Sequence, residues 1–109
     1  MRRGYRVLWS DVAENDLRGI INYIAGNNPA TARQILEKIK TKTDTLFVFP
    51  EKGRVVPELL EQGIAQYHEL VVSPWRIIYK IGEHEIFVLS VLDSRRNIED
   101  ILLRRLIGH

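Results

Sequence analysis

The chain has 109 residues, of which 45% are hydrophobic and 28% are charged, so one folded domain with one core is expected over residues 1–109. It contains no cysteine, which excludes a disulfide framework and a thiolate metal site. The net charge of +2 permits a polyanionic partner, although a protein that grips duplex DNA mainly through its phosphates would usually show a denser basic patch.

The N-terminal segment and the apolar runs indicate where the protein is expected to reside. MRRGYRVLWS begins with two adjacent arginines, but no apolar stretch follows them, so a secretory signal is not expected. No window approaches the ~18 apolar residues that a membrane span needs. We therefore expect a cytoplasmic protein without a membrane partner.

A short strand and a helix are predicted at the start of the chain. The segment YRVLW places Tyr5, Val7 and Trp9 on one side, as an amphipathic strand requires. Ser10 is then a suitable N-cap for a helix, with Asp11 favourable in its first turn. The helix has one apolar face with the spacing i, i+3, i+4, i+7, formed by Leu17, Ile20, Ile21 and Ile24.

A second helix is predicted to follow at once. Gly26 supplies the C-cap of the first helix, and NNP starts the second one with Pro29 at its first position. The apolar stripe of this second helix consists of Ala32, Ile35, Leu36, Ile39, Leu46 and Phe47. FPEKG ends the helix. Because the linker between the helices has only about four residues, we expect an antiparallel hairpin.

In the second half of the chain the spacing of apolar residues changes from a helical pattern to the alternation that is typical of strands. Three runs, IAQYHELVV, WRIIYKI and EIFVLSVL, are separated by SP and GEH, which is typical of an antiparallel meander. The preceding segment RVVPEL is expected to be extended, with Pro57 keeping it at a sheet edge or in a loop. Asn97 can cap a last helix whose apolar face contains Ile98, Ile101, Leu102 and Leu106.

Together these elements predict an α+β fold with the order β-α-α-β-β-β-α. The helical hairpin should pack on one face of a small, mostly antiparallel twisted sheet. The opposite face would remain partly open unless the last helix or a partner covers it.

Arg76 interrupts the apolar segment VVSPWRIIYKI. Trp75, Ile77 and Tyr79 share one parity and are predicted to lie in the core beneath the helices, which places Arg76 on the other parity. We expect its stem to be buried between neighbouring side chains and its guanidinium to be accessible. A surface strand could carry Arg76 as a solubilising charge or pair it with a carboxylate, whereas a site for phosphate or carboxylate could require it.

Two further segments carry polar residues where the chain enters and leaves the sheet. EKGRVVPEL contains Arg54 and Glu58, and DSRRN contains Arg95 and Arg96 directly after the last strand. Arginine can bind a phosphate at two points, and loops at strand ends often carry such residues. A solvated arginine pair is the ordinary alternative. The histidines lack metal-ligand spacing and there is no glycine-rich phosphate loop, so no metal and no cofactor are expected.

Four segments, in order, carry a resemblance to a known family. They are WSDVAENDLRGIINYIAGNNPATA, LFVFPEKGRVVPEL, YHELVVSPWRIIYKI and VLSVLDSRRNIEDILLRRL. Over nearly its full length the chain resembles the RelE/ParE superfamily of toxins from bacterial type II toxin–antitoxin modules. The resemblance implies a helical hairpin against a small antiparallel sheet. It also implies a cognate antitoxin, encoded by the adjacent gene, that binds the toxin in a hetero-oligomer until stress removes it.

Within this superfamily the chain is most similar to the ParE-like branch. PWRIIYKI and VLDSRRNIEDILL carry that similarity. It implies growth arrest by binding an essential target, DNA gyrase, in a module that stabilises plasmids. The residues expected to contact the target or nucleic acid are then Arg54, Arg76, Arg95 and Arg96.

The other branch resembles ribosome-dependent endoribonucleases that cut messenger RNA. In that case the resemblance assigns catalysis to Arg76 and to Glu58 as the base. The chain departs from this branch at two places. The strand lysines of the best-known ribonucleases correspond here to His68 and Leu70, and their near-terminal tyrosine falls close to Asp100. A third alternative is a non-toxic nucleic-acid-binding or interaction module on the same fold.

Overall fold

The computed structural model describes residues 4–107 and contains five strands and four α-helices. In chain order they are β1 (Arg6–Trp9), α1 (Asp11–Ala25), α2 (Pro29–Asp44), β2 (Arg54–Val55), α3 (Pro57–Leu60), β3 (Tyr67–Val72), β4 (Trp75–Ile81), β5 (Glu85–Asp93) and α4 (Ile98–Leu102). A 3₁₀ turn (Thr45–Phe47) follows α2, and a π-helical turn (Leu103–Ile107) follows α4. None of the helices in this part of the chain is long and apolar enough to cross a membrane.

The sheet confirms the predicted meander and adds one parallel pair. Its strand order is β1-β5-β4-β3-β2, with β1 parallel to β5 and the other neighbours antiparallel. The β3–β4 register pairs Val71 with Arg76, and the β4–β5 register pairs Arg76 with Leu92. Arg76 therefore lies on the central strand of the sheet and on the same face as Leu92.

The helical hairpin of α1 and α2 covers the first face of the sheet, as predicted. Ile77 and Tyr79 are fully buried there against Leu17 and Ile39, and Trp75 packs at the margin of the cluster. The alternation of the β4 side chains thus has the predicted orientation. Two members of the predicted helical stripe, Leu46 and Phe47, lie beyond α2, which ends at Asp44. Leu46 in the 3₁₀ turn is still buried in the core, whereas Phe47 is half exposed.

A second apolar cluster fills the opposite face of the sheet, which was expected to remain partly open unless the last helix or a partner covered it. Ile78 and Leu92 from the sheet meet Leu59 of α3 and Leu102 of α4. The last helix therefore covers this face together with α3, which the sequence did not predict. Pro57, expected at an edge or in a loop, occupies the first turn of α3, where its missing N–H costs no hydrogen bond.

The predicted helix caps are present. The side chains of Ser10 and Asn97 accept hydrogen bonds from the backbone N–H groups of Ala13 and Asp100, and Asn28 does the same at the start of α2. Gly26 ends α1 in an ordinary right-handed conformation, so a left-handed turn is not the reason for glycine at this position.

Candidate functional site

Arg76 is buried, which corrects the expectation of an accessible guanidinium. The residue is only 6% exposed, on the face of the sheet that α3 and α4 cover. A buried guanidinium needs partners for its donors, because an unpaired charge in such an environment is very costly. The structure provides two carboxylates.

These two carboxylates come from Glu58 and Glu69. Nη1 and Nη2 of Arg76 donate to Oε2 and Oε1 of Glu58 at 2.7 and 2.6 Å, which is a two-point pair. Nε of Arg76 donates to Oε1 of Glu69 at 2.7 Å, and the Glu69 side chain is completely buried. The other oxygen of Glu69 accepts from Nε of Arg54 at 2.6 Å. Four charged residues thus form one continuous network.

The network shifts the acid–base behaviour of its members. The hydrogen bond from Arg76 is the main reason that the pKa of Glu58 lies below its ordinary value, against a smaller opposing effect of burial. The same pairing raises the pKa of Arg76. Glu58 is therefore ionised but a weakened base, since taking up a proton would break its pairing with Arg76.

The position of Glu58 differs from the prediction. It was expected in an extended segment entering the sheet, but it lies in the first turn of α3, directly after Pro57. The buried Leu59 anchors α3 in the second apolar cluster. This one helical turn directs the Glu58 carboxylate at Arg76 on β4.

Arg54 is the accessible cation of the network. Its side chain is 62% exposed, and its hydrogen bond to Glu69 uses Nε. The preceding loop is held by Tyr79, whose hydroxyl donates to the carbonyl of Pro50 and accepts from the N–H of Gly53. A Cβ at Gly53 would lie 2.2 Å from the carbonyl oxygen of Glu69, so only glycine fits this approach of the loop to β3.

The structure does not bring Arg95 and Arg96 into this network. Both are exposed in the loop after β5, and Arg95 forms an ion pair with Asp93 that lowers the pKa of the aspartate to about 2. They line a groove of about 680 Å³ beside α1, whose floor belongs to the first face of the sheet. The predicted residues therefore divide between two places: Arg54, Glu58 and Arg76 on one side, Arg95 and Arg96 on the other.

Sequence reasoning missed Glu69, although the sequence holds a signal for it. Ser73 and Pro74 form a two-residue connection, which sets the pairing of β3 with β4 and places Glu69 two residues from Val71, the partner of Arg76. Glu69 therefore lies on the same face of the sheet as Arg76. An acidic residue on that face, within the apolar run YHELVV, requires a cation. Arg76 is the nearest arginine or lysine along the sequence.

A second network was also missed. Arg105 donates to both oxygens of Asp16 on α1, at 2.8 and 3.2 Å, and to the hydroxyl of Ser90 on β5. Asp16 in turn accepts from the backbone N–H of Val91 at 3.0 Å. The residues after α4 are thereby tied to the helical hairpin across the edge of β5.

His68 on β3 is half buried. Its ring stacks on Tyr79 with 5.6 Å between the ring centroids, and its Nδ1 is buried without a hydrogen-bond partner in the described residues. No group of three or more His, Cys, Asp or Glu residues within 4–107 could hold a metal ion.

Comparisons with known proteins place this geometry in context. Residues 7–98 match the family model described as ParE toxin of type II toxin-antitoxin system, parDE. Toxin RelE2 of Caulobacter vibrioides is 28% identical over 91 residues, covering 84% of this chain and 97% of that protein. Toxin ParE3 of the same organism is 27% identical over 94 residues, covering 85% and 90%.

A solved structure shares the fold. The structure described as a chromosomal ParDE TA system from P. aeruginosa superimposes with a TM-score of 0.67 at 17% sequence identity. The similarity covers 82% of this chain and 95% of that one. The predicted fold class, a helical hairpin on a small sheet, is confirmed.

Proposed function

Because the chain belongs to the ParE toxin family of type II toxin–antitoxin systems, we propose that it arrests growth by binding an essential target, DNA gyrase, without cleaving RNA. The family assignment makes it the toxin of such a pair and gives it a cognate antitoxin. The proposal concerns the target and the way in which the toxin acts on it, within a module that stabilises the plasmid carrying it.

The pairing of Arg76 with Glu58 is the observation that favours binding over catalysis. Cleavage of RNA through its 2′-hydroxyl needs a base for that hydroxyl, cations for the developing phosphorane charge and an acid for the leaving oxygen. Here both oxygens of Glu58 accept from Arg76, and Arg76 is buried. The two residues that a ribonuclease would use neutralise each other, which weakens Glu58 as a base and occupies the donors of Arg76.

Three of the four arginines expected to contact the target are exposed, and these three are the proposed contact residues. Arg54, Arg95 and Arg96 all reach solvent, and arginine is well suited to carboxylates and phosphates on a partner surface. Arg76 takes part indirectly, because it holds Glu69, which in turn positions Arg54.

The test compares two activities of the purified chain. One assay measures inhibition of supercoiling by gyrase, and the other measures cleavage of message on translating ribosomes. We expect inhibition without RNA products, and weaker inhibition for Arg54→Gln and for the Arg95→Gln/Arg96→Gln double variant. Arg33→Gln, which removes an exposed charge on α2, serves as the matched control.

Two results would contradict this function. Cleaved message that disappears in Glu58→Gln, at equal folded concentration, would assign the ribonuclease activity instead. Expression that leaves growth unchanged, with or without the adjacent gene, would favour a non-toxic binding module. Growth arrest that the adjacent gene relieves, together with gyrase inhibition, is the outcome we expect.

A further inference from the structure

β1 is an edge strand with an unpaired outer side. It stands last in the strand order, and β5 is its only neighbouring strand among the described residues. The amide of Ser10, directly after β1, donates to Val88 of β5 at 3.0 Å, and the amide of Arg6 points to the same side. Because backbone groups alternate along a strand, the N–H and C=O groups of Val7 and Trp9 point to the open side.

This edge lacks the features with which proteins usually protect an exposed strand. Its sequence RVLW contains no proline, lysine or glycine, and its pairing with β5 runs without a bulge. The 3₁₀ turn after α2 occupies the edge at Tyr5, whose amide donates to the carbonyl of Phe47 at 2.8 Å. No described backbone group pairs with the outer side from Val7 to Trp9, so this stretch can pair with an added strand.

The backbone selects one register for a second copy of the same strand. In an antiparallel pair, residues whose backbone groups point outward must face each other. A two-fold axis at Leu8 places Val7 of each copy opposite Trp9 of the other and forms about four backbone hydrogen bonds. An axis at Val7 would instead place Trp9 opposite Tyr5, whose amide is already used by Phe47.

The side chains fit the same register. Leu8 pairs with Phe87 of β5 on the face opposite the helical hairpin, and Phe87 is 37% exposed. With the axis at Leu8, the two Leu8 side chains meet, and an apolar strip runs from Phe87 of one copy to Phe87 of the other. On the hairpin face Val7 meets Trp9, which is a favourable β-branched–aromatic pair. The pairing thus covers apolar surface that a single copy exposes.

The charges at the two ends of β1 favour a second copy as the occupant. Arg6 at its start is exposed, and so are Asp11 and Glu14 in the first turn of α1, just beyond its end. None of the three forms an ion pair with another described residue. In the antiparallel register Arg6 of each copy lies opposite Ser10 of the other, next to Asp11. The two-fold axis therefore creates two equivalent contacts between opposite charges.

We propose that two copies of this chain associate through β1, antiparallel about a two-fold axis at Leu8, with Arg6 of each copy beside Asp11 of the other. The sheet then continues from one copy into the next. Because only a short strand forms the contact, we expect association in the micromolar range. The surface is separate from the network around Arg76, and the proposal does not depend on which target the toxin binds.

A charge-reversal experiment tests the register. Sedimentation equilibrium of the purified chain, from low to high micromolar concentration, should show a monomer–dimer equilibrium. Arg6→Glu and Asp11→Lys should each weaken self-association by about tenfold, because each variant places like charges together at both contacts. An equimolar mixture of the two variants should regain the affinity of the natural chain, since both contacts of the mixed dimer again join opposite charges. Arg33→Glu, at an exposed position of α2, is the matched control.

Hydrogen exchange tests the backbone pairing. The amides of Val7 and Trp9 should become at least about tenfold better protected as the concentration rises, in step with the dimer fraction. The amide of Leu8 points to β5 and should be protected at every concentration. Val7→Pro removes an outward donor and should abolish the dimer, whereas Val7→Ala keeps that donor and should retain it.

Three results would overturn the proposal. They are a monomer at every concentration, a mixture of Arg6→Glu and Asp11→Lys that associates no better than either variant alone, and exchange at Val7 and Trp9 that does not change with concentration. Protection of these two amides only when the protein encoded by the adjacent gene is bound would assign the edge to the antitoxin and would equally overturn it.

Discussion

Arg76 on β4 and Glu58 on α3 are joined at both carboxylate oxygens, with nitrogen–oxygen distances of 2.7 and 2.6 Å. The pair fastens a helix of only four residues to the centre of the sheet. Such a short helix has little stability of its own, since helix nucleation is unfavourable and few hydrogen bonds follow it. The ion pair and the buried Leu59 therefore hold α3 in place.

Arg76→Ala is expected to destabilise the protein by about 3–5 kcal/mol, because it removes the cation that pairs with Glu58 and leaves the buried Glu69 with Arg54 alone. Denaturant unfolding at pH 7 measures the change. Arg95→Ala, which removes one member of an exposed pair, should cost less than about 1 kcal/mol and serves as control. A cost below about 0.5 kcal/mol for Arg76→Ala would mean that the guanidinium is not paired in the folded protein.

The lowered pKa of Glu58 predicts a loss of stability in acid. Because the folded pKa lies below the ordinary value of 4.5, the pairing stabilises the protein above pH 4.5 and is lost as the pH falls through the folded pKa. Glu58→Gln should therefore be less stable than the natural chain at pH 7, with the difference shrinking towards pH 3. Urea midpoints across this range test the prediction. A difference that stays constant with pH would contradict it, and Glu61→Gln at an exposed position is the control.

Ile77→Ala is expected to cost about 2–5 kcal/mol, because Ile77 is fully buried under the helical hairpin. Val71→Ala in the same strand hairpin should cost much less, since Val71 is 48% exposed. Equilibrium unfolding of both variants gives the comparison. Equal costs would imply that the two side chains do not differ in burial in solution.

Asp16→Ala should expose the Val91 amide to hydrogen exchange, because Asp16 accepts its hydrogen bond. An unsatisfied buried donor costs about 1–3 kcal/mol, which sets the expected loss of protection at this amide. Asp16→Asn keeps an acceptor oxygen and should restore much of the protection, while losing the charge that pairs with Arg105. Unchanged exchange at Val91 in Asp16→Ala would show that the amide is protected by other means.

The sequence predicts those parts of the fold that depend on neighbouring residues. The parity of Trp75, Ile77 and Tyr79 was correct because side chains alternate along any strand. The caps at Ser10 and Asn97 were correct because a cap depends on the few residues that follow it.

Features that depend on distant residues were not predicted. Asp16 and Arg105 are 89 residues apart, and no periodicity connects them. The burial of Arg76 follows from α3, whose four residues are too few to produce a helical period. The sequence predicts an extended conformation for the first three residues of α3, PEL, because the residue before a proline favours that conformation.

The parallel pairing of β1 with β5 constrains the order in which the protein can be built. Ser10, at the end of β1, bonds through its side chain to Leu89, 79 residues further along the chain. Such distant pairing forms late in folding, because closing a long loop costs entropy before any contact between its ends can stabilise the chain. A ribosome must therefore synthesise β5 before the first strand has its neighbour, so a nascent chain that stops short of β5 lacks the complete sheet and the surfaces built on it.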